Sequence, residues 1–425
     1  MTLIIFLGSL FAGMAIGMPL AFVLLLVSVV LMLHLDLFDA QIIAQNLING
    51  ADSFPLMAVP FFMLAGEIMN TGGLSKRIVK IAMTLVGHKR GGLGYVAILA
   101  SLLLASLSGS AVADAAALSA LLIPMMVAAG HDRKRSAGLI AAGSIIAPIL
   151  PPSINFIIFG VVSGVSISKL FMAGIVPGLL MAVTLAVAWY FIARGEEVPP
   201  SPKASRAEVL RSVIEGIWAL GLPLIIVFGL KFGIFTPTEA AVVAAVYSLF
   251  VAMVIYRELK WSQLYEVIFS SARTTSVVMF LIAAAMVSSW LVNIADLPGQ
   301  LADLMQPFMD NPQLLLVVIM LVVIAIGMVM DAAPVILILT PVLMPAVTQA
   351  GIDPVYFGVL FILNISISLI TPPVGTVLNV ICGVAKLRLD EVVRGVWPFL
   401  IAQLLVLALL LAFPALVLVP LKYLA

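Results

Sequence analysis

Long runs of apolar residues, separated by short polar loops, follow one another along the whole chain. A membrane helix needs about 17 to 25 apolar residues to cross a hydrocarbon core of about 30 Å. Nine runs are long enough, at residues 3–33, 54–70, 137–165, 170–193, 217–235, 239–256, 276–293, 355–385 and 396–421. The pattern predicts an all-α protein that crosses a membrane many times.

Two of these runs are interrupted in the middle by a pair of prolines. The first interruption reads Ile146-Ala-Pro-Ile-Leu-Pro-Pro-Ser-Ile-Asn155, and the second reads Ser368-Leu-Ile-Thr-Pro-Pro-Val-Gly-Thr376. Proline stops a helix, and carbonyls freed in a bilayer must be received by protein or by a water-filled cavity. Paired breaks of this kind indicate a transporter's binding site, whereas kinks that only shape helices are the alternative.

Two further segments consist of apolar arms around a small polar tip. In residues 93–129 the tip is Ser108-Gly-Ser-Ala-Val-Ala-Asp114, and in residues 313–349 it is Gly327-Met-Val-Met-Asp331. A first-hairpin arm of about 15 residues measures roughly 22 Å as a helix, which is less than the hydrocarbon thickness. Both segments are therefore predicted to be re-entrant hairpins with their tips inside the protein.

The two halves of the chain repeat one another. At an offset of 221, Pro124, Ala129, Gly130, Asp132, Pro151 and Pro152 match Pro345, Ala350, Gly351, Asp353, Pro372 and Pro373. The first repeat is predicted at 1–193, with the hairpin 93–129 and the broken helix 137–165. A linker (194–216) and an extra span make up 194–238. The second repeat is predicted at 239–425, with the hairpin 313–349 and the broken helix 355–385.

Charge is distributed unequally around the two hairpins. The first is flanked by Lys76, Arg77, Lys80, Lys89, Arg90, Arg133, Lys134 and Arg135, and the second by Asp296, Asp303, Asp310 and Asp353. Basic residues stay on the cytoplasmic side, so the hairpins are predicted to open to opposite sides and the repeats to be inverted. Nine spans and two hairpins then place the N-terminus in the cytoplasm and the C-terminus in the periplasm.

Composition excludes several classes of function. Hydrophobic residues make up 64% of the chain, charged residues 10%, and the net charge is +1, which argues against nucleic-acid binding. Cys382 has no partner for a disulfide, and the three histidines lack metal-ligand spacing. No catalytic or nucleotide-binding motif is found, so the protein is predicted not to be an enzyme and to use an ion gradient.

Small and polar residues surround the tips and the breaks. They are Ser106, Ser108, Gly109 and Ser110 at the first tip, Ser153 and Asn155 at the first break, and Thr371, Gly375 and Thr376 at the second. Helix N-termini at these points would offer N–H groups to an anion, while carbonyls and hydroxyls would coordinate a small cation. Packing between membrane helices is the alternative role for each hydroxyl.

Acidic residues within the apolar runs are costly and suggest function. Asp114 and Asp331 occupy equivalent turns, and Asp331 has no basic neighbour in the sequence. Asp331 therefore faces a ligand or water, or else caps the arm 332–349 as its N-cap residue. Glu239, in Thr236-Pro-Thr-Glu239, is predicted to cap a helix and not to bind a ligand.

Three motifs together resemble those of a known family. The first tip, the segment Thr236-Pro-Thr-Glu-Ala-Ala241 and the break Thr371-Pro-Pro-Val-Gly375 are similar to the large membrane subunit of tripartite ATP-independent periplasmic (TRAP) transporters. The resemblance covers nearly the whole chain. It implies a sodium-coupled, elevator-type symporter of the ion transporter superfamily in the bacterial inner membrane, with sodium as coupling ion and no other cofactor.

The resemblance also implies partners and site residues. A small four-helix membrane subunit, expected to be a separate chain because this one begins directly at the large subunit, and a periplasmic binding protein would deliver an organic acid. Ser108, Ser110, Asn155 and Asp331 would face the substrate. Sodium would be held by Ser106, Gly109, Pro151, Ser153, Gly327, Thr371, Gly375 and Thr376.

Other functions remain open at this point. A partner-independent antiporter or exporter of the same superfamily is the second hypothesis, and a structural membrane scaffold, which would not need paired broken helices, is the third. The residues leave the substrate open among C4-dicarboxylates, sialic acids, other sugar acids and keto acids.

Overall fold

The computed structural model describes residues 2–196, 198 and 202–424, with the backbone alone for Leu3 and residues 301–304. All regular structure in this part of the chain is helical, and eight of its helices are long and apolar enough to cross a membrane. The prediction of an all-α membrane protein is confirmed. Pro199 and Pro200 of the predicted linker, and the side chain of Asp303, lie outside the described residues.

The first half of the described chain folds into ten helices. Their bounds are α1 (Thr2–Ala15), α2 (Leu20–His34), α3 (Ala40–Ala51), α4 (Ala58–Thr71), α5 (Leu74–Val86), α6 (Gly92–Ser108), α7 (Ala111–Ala128), α8 (Arg133–Ser144), α9 (Ile154–Ser163) and α10 (Ile167–Ala193). A short 3-10 helix, Phe54–Met57, leads into α4.

The second half of the described chain adds ten more. Their bounds are α11 (Arg206–Lys231), α12 (Pro237–Phe250), α13 (Trp261–Ile294), α14 (Leu297–Met309), α15 (Pro312–Gly327), α16 (Ala332–Gln349), α17 (Pro354–Ser368), α18 (Thr376–Ala385), α19 (Leu389–Ala412) and α20 (Ala415–Leu424). A π-helical segment, Val251–Ile255, follows α12.

These helices pack in two groups. The frame group comprises α1–α5 and α11–α14, in which α4 packs on α12 and α13 packs on α2, α3 and α4. The core group comprises α6–α10 and α15–α20, in which α8 packs on α19, α17 on α15 and α18 on α7. The groups meet where α5 leads into α6, where α4 touches α6 and α9, and where α16 contacts α13 and α14.

Helix α17 lies at the centre of the core group. Every residue from Val355 to Ser368 is buried, which explains why this segment is apolar on all sides. The ring of Phe159 in α9 packs against Phe357 and Phe361, with centroid distances of 6.3 and 5.9 Å. The interior is thus held by close packing of large side chains around a fully enclosed helix.

Both Pro-Pro pairs separate consecutive helices. The gap between α8 and α9 contains the cis bond Pro151–Pro152, and the gap between α17 and α18 contains the cis bond Pro372–Pro373. Helix α8 begins earlier than predicted because the Asp132 carboxylate accepts a hydrogen bond from the Arg135 N–H at 2.8 Å. The chain is therefore interrupted in the two places that the prolines predicted.

The first apolar run, predicted as a single span at 3–33, folds as two helices. Helices α1 and α2 pack side by side around a turn in which Gly17 has a φ of 79°. Gly13 permits this approach, since a Cβ there would lie 3.0 Å from Val23 Cγ1. Proline at position 19 has no N–H to continue α1, so the count of nine uninterrupted spans is wrong here.

Three other predicted boundaries are also wrong. Residues 206–216, assigned to the linker, start α11 because Ser205 and Glu208 form a reciprocal capping box. The predicted span 276–293 is only the second part of a longer helix, α13, whose sequence contains no glycine or proline. The last span, 396–421, is divided after Ala412 because Pro414 cannot continue α19.

We expect Gly138→Ala to separate α8 from α19. A Cβ on Gly138 would lie 2.4 Å from the backbone carbonyl of Gly395. A backbone group cannot move aside by changing its rotamer as a side chain can. The free energy of unfolding should fall by about 1–3 kcal/mol, as for other overpacked interiors. Thermal unfolding of the purified protein in detergent would measure the loss.

Gly8→Ala is the matched control for this variant. Its Cβ would have nothing within 4 Å, so the melting temperature should stay equal or rise. Equal melting temperatures for the two variants would contradict the close crossing of α8 and α19.

Candidate functional site

The two tips and the two breaks reach one cavity between the frame and core groups. It has a volume of about 250 Å³. Its core-group wall is formed by Gly109, Ser110, Ala111, Val112, Pro148, Ile154, Asn155, Ile158, Asp331, Ala332, Ala333 and Leu369. Met63 of α4 and Thr274 and Val278 of α13 close the frame side. The segments singled out by the sequence are therefore neighbours in space.

The first tip touches the first break through its glycine. Gly109 has a φ of 60°, and a Cβ on it would lie 2.4 Å from the carbonyl oxygen of Pro152. Any other residue would carry strain from the left-handed backbone and would also collide with that carbonyl. Glycine here brings the backbone of the tip against the carbonyl groups of the break.

Hydrogen bonds within the first tip fix its serines. Ser108 Oγ donates to Asp114 Oδ1 at 2.6 Å and accepts from the Ser110 N–H at 3.2 Å. Ser110 Oγ in turn accepts from the Ala113 N–H at 3.4 Å and caps α7. The Asp114 side chain is buried, and its Oδ2 has no hydrogen-bond partner in the described part of the chain.

The first break is closed by Ser153. Its hydroxyl donates to the Pro148 carbonyl at 2.5 Å and accepts from the Phe156 N–H at 3.2 Å as the N-cap of α9. Asn155, the second residue of α9, lines the cavity, and its amide forms no hydrogen bond to a described residue. The amide is thus available to a ligand, whereas the Ser153 hydroxyl is engaged with the backbone.

Asp331 holds the N-cap position of α16 without capping it. Its side chain makes no capping hydrogen bond, and instead its Oδ1 accepts from the Thr376 hydroxyl at 3.3 Å. The residue is exposed to the cavity, whereas Glu239 forms the capping box with Thr236 that the sequence predicted. Asp331 therefore occupies the N-cap position that the capping alternative predicted, but its carboxylate does not cap the helix.

Backbone contacts also join the second tip to the second break. A Cβ on Gly327 would lie 2.1 Å from Ser368 Oγ, so α15 passes directly against the end of α17. Gly375 has a φ of 47°, and a Cβ on it would lie 2.9 Å from the Leu369 carbonyl oxygen. Thr371 Oγ1, within the break, donates to the Ile367 carbonyl in the last turn of α17 at 2.8 Å.

The predicted site residues thus fall into three sets. Gly109, Ser110, Asn155 and Asp331 line the cavity, and Thr376 contacts Asp331. Ser108 lies beside it, in an adjoining cavity of about 200 Å³. The other six do not line these two cavities. Ser106 donates to the Leu103 carbonyl at 2.7 Å, and the hydroxyls of Ser153 and Thr371 also donate to backbone carbonyls. Gly327 and Gly375 make close packing contacts, and Pro151 belongs to the cis bond of the first break.

The frame helices contribute residues that the sequence did not reveal, apart from Glu67, an acid near the end of the predicted span 54–70. The adjoining cavity is lined on the frame side by Met63, Gly66, Glu67, Asn70, Ser271 and Thr274. It shares Met63, Ser110, Val112, Ile154 and Thr274 with the main cavity, so the two form one crevice. The polar run Ser270–Ser276 inside an apolar helix was the available signal for Ser271 and Thr274.

Comparison with known proteins identifies the family. A family model described as tripartite ATP-independent periplasmic transporter, DctM component, matches residues 7–416. The chain belongs to this family. It is 59% identical to the 2,3-diketo-L-gulonate TRAP transporter large permease protein YiaN of Escherichia coli, over 100% of both chains. The resemblance predicted from the three motifs is confirmed.

Other TRAP permeases are similar over most of their length. The sialic acid TRAP transporter large permease protein SiaM of Vibrio cholerae is 42% identical, over 96% of this chain and 95% of that one. The C4-dicarboxylate protein DctM of Pseudomonas aeruginosa is 38% identical, over 88% and 87%. A crystal structure of the Alcanivorax borkumensis YdaH transporter shares the fold, with a TM-score of 0.63 and 15% identity over 89% of this chain and 90% of that one.

We expect Ser108→Ala to destabilise the permease more than Ser106→Ala. The first change removes the hydroxyl that donates to buried Asp114, and leaving such a group without a donor costs about 1–3 kcal/mol or more. The second removes a hydroxyl that bonds to a carbonyl of its own helix. Thermal unfolding in detergent compares them, and an equal loss in both variants would contradict a structural role for the Ser108–Asp114 contact.

Proposed function

We propose that this permease is the large membrane subunit of a sodium-coupled, binding-protein-dependent transporter that imports an organic acid. The observation that carries the proposal is the convergence of the N-termini of α7, α9 and α16 on one cavity. Each end presents N–H groups without helical partners and about half a positive charge, which favours an anion. The residues that line the cavity include no lysine or arginine, so the helix ends supply the positive field.

Ser108, Ser110, Asn155 and Asp331 would bind the substrate. Helix ends would hold its carboxylate, and the Asn155 amide and the serine hydroxyls would hydrogen-bond to it or to neighbouring oxygens. Asp331 repels a second carboxylate but accepts hydrogen bonds from hydroxyl groups. An acid with one carboxylate and several hydroxyls therefore suits this site better than a C4-dicarboxylate does.

Similarity to named relatives supports the same class of substrate. The 59% identical relative is named for 2,3-diketo-L-gulonate, whereas the relatives named for sialic acid and C4-dicarboxylates are 42% and 38% identical. We therefore propose a sugar acid or keto acid of the 2,3-diketo-L-gulonate type. Sialic acid and C4-dicarboxylates serve as comparison substrates.

Sodium would be bound where the first tip touches the first break and within the second break. The Pro152 carbonyl lies beside Gly109 and the Leu369 carbonyl beside Gly375, which are oxygen ligands of the kind a hard cation takes. Ser106, Ser153, Thr371 and Thr376 add hydroxyls, and Pro151 and Gly327 set the local backbone. The buried Oδ2 of Asp114, which has no partner among the described residues, adds an anionic oxygen.

We propose an elevator mechanism in which the core group moves against the frame group. The core group would contain the two re-entrant hairpins, 93–129 and 313–349, and the broken helices 137–165 and 355–385 of the inverted repeats. Only one wall of the cavity belongs to the frame group. Movement of the core group away from that wall would therefore expose the site while its core-group residues stay together. The basic residues on either side of the first hairpin would lie at the cytoplasmic face of the bacterial inner membrane.

Membership of the family suggests two partners with different roles. A small four-helix membrane subunit would bind the frame group, and a periplasmic binding protein would deliver the acid. Partner-independent exchange or export is the competing function. It predicts substrate flux in vesicles that contain neither partner.

We expect Asp331→Asn to abolish most transport without unfolding the protein. Asparagine keeps the size, and no capping hydrogen bond is lost because Asp331 makes none. Uptake should fall tenfold or more, equivalent to about 1.4 kcal/mol in the rate-limiting barrier. Sodium-driven uptake of 2,3-diketo-L-gulonate would be measured in proteoliposomes with both membrane subunits and loaded binding protein outside.

Asp353→Asn provides the matched control, since Asp353 is an N-cap away from the cavity. It should lower stability slightly and leave uptake nearly normal. Wild-type uptake in the Asp331 variant would remove this residue from the substrate site. Uptake without the binding protein would favour the competing function.

We expect Gly375→Val to raise the sodium concentration needed for uptake. The side chain would press on the Leu369 carbonyl, 2.9 Å from the position of its Cβ, and so displace a proposed sodium ligand. Gly164→Val is the control, because Gly164 has a φ of 74° but nothing within 4 Å of its Cβ position. A parallel change of sodium dependence in both variants would attribute it to backbone strain and not to a cation site.

A further inference from the structure

A basic cavity outside the proposed substrate site opens at the end of α10. It has a volume of about 340 Å³ and is lined by Lys89, Arg90, Tyr95, Tyr190, Ala193 and Arg194. These residues come from the loop between α5 and α6, the first turn of α6 and the last turn of α10. We propose that this cavity binds the phosphate headgroup of an anionic phospholipid.

The three cations of the cavity lack counterions. Lys89, Arg90 and Arg194 form no ion pair with any carboxylate that the structure describes, and the lining contains no acid. Several other basic residues of the described chain form ion pairs. Arg77 binds Glu258, Lys80 and Arg211 share Glu215, and Lys134 binds Glu391. Three adjacent positive charges repel each other, so an anion between them is stabilised.

The walls of the cavity are held in place before any ligand arrives. Arg90 Nη2 donates to the Arg194 carbonyl at 3.1 Å, and the Arg194 guanidinium lies 4.3 Å from the centre of the Tyr190 ring. Trp189 Nε1 donates to the Gly91 carbonyl at 2.8 Å and fastens the loop to α10. Little conformational freedom of these arginines remains to be lost on binding, which favours affinity.

The position of the cavity indicates a lipid and not a free ion. Helix α10 has 27 residues and is long and apolar enough to cross a membrane, and the cavity lies at its end. Exposed apolar residues continue along α10 away from Arg194: Leu179, Val183, Val187 and Phe191. This stripe can carry an acyl chain while the headgroup lies among the cations. Tyrosines are also typical of the level of the lipid headgroups.

Binding would be measured on the purified full-length permease in neutral detergent by native mass spectrometry. Phosphatidylglycerol and phosphatidylcholine are the two probes, and inorganic phosphate is added as a competitor. We expect phosphatidylglycerol to bind more tightly than phosphatidylcholine, with millimolar phosphate competing poorly. Equal binding of both lipids would overturn the proposal, and so would tight binding of phosphate with no preference for the anionic lipid.

The double variant Arg90→Gln/Arg194→Gln should weaken binding of phosphatidylglycerol about 30-fold, if each charge contributes about 1 kcal/mol. Lys89→Gln should weaken it about 5-fold and cannot disturb packing, since the Lys89 side chain makes no hydrogen bond to a described residue. The control Lys80→Gln/Arg211→Gln removes two charges that already share Glu215. An equal loss in that control would reduce the effect to net charge and overturn the proposed site.

Discussion

Every interruption of a helix inside a membrane frees backbone groups that no lipid can receive, and the whole arrangement follows from this constraint. Each break satisfies part of its own backbone, and the first tip packs directly on the first break. Gly109 presses against the Pro152 carbonyl, Ser153 bonds back to the Pro148 carbonyl, and the Val377 N–H reaches the Leu369 carbonyl at 3.2 Å. The first residues of α7, α9 and α16 line the shared cavity. The same geometry that makes the breaks tolerable therefore produces a field suited to an anion.

Local signals in the sequence predicted the interruptions but not all of the helix limits. The Pro-Pro pairs mark both breaks because proline acts within its own segment. Helix α13, in contrast, runs through the polar residues 270–276, since helix continuity there depends on packing against α2, α3 and α4. The division of residues 3–33 into α1 and α2 has a local signal, because Pro19 cannot continue α1, and the contact between Gly13 and Val23 then packs the two helices together. The start of α11 also has a local sequence signal, because the Ser205–Glu208 capping box marks a helix start.

The residues that line the cavity likewise divide into those that local sequence signals predicted and those that depend on how distant helices pack. Ser110, Asn155 and Asp331 were identifiable because they follow a tip or a break directly, and they line the cavity. Met63 and Thr274 were not, because their part in the cavity comes from the way α4 and α13 pack across the core group. One wall of the cavity is thus contributed by a different helix group from the rest. An elevator movement requires this, since the frame wall must change while the binding residues stay together.

Asp114 and Asp331, which the sequence predicted to occupy equivalent turns, lie at different helix positions, because Asp114 is the fourth residue of α7 whereas Asp331 is the N-cap residue of α16. Asp114 is buried, accepts from Ser108 at 2.6 Å within its own tip, and has one oxygen without a partner among the described residues. Asp331 is exposed to the cavity and touches only the Thr376 hydroxyl, at a longer 3.3 Å. A buried carboxylate next to serine oxygens is suited to a cation, whereas an exposed one at a helix N-terminus can exchange a weak contact for a ligand's hydroxyl. Under the proposed function the two carboxylates would serve coupling ion and substrate separately, because they differ in helix position, hydrogen bonding and exposure.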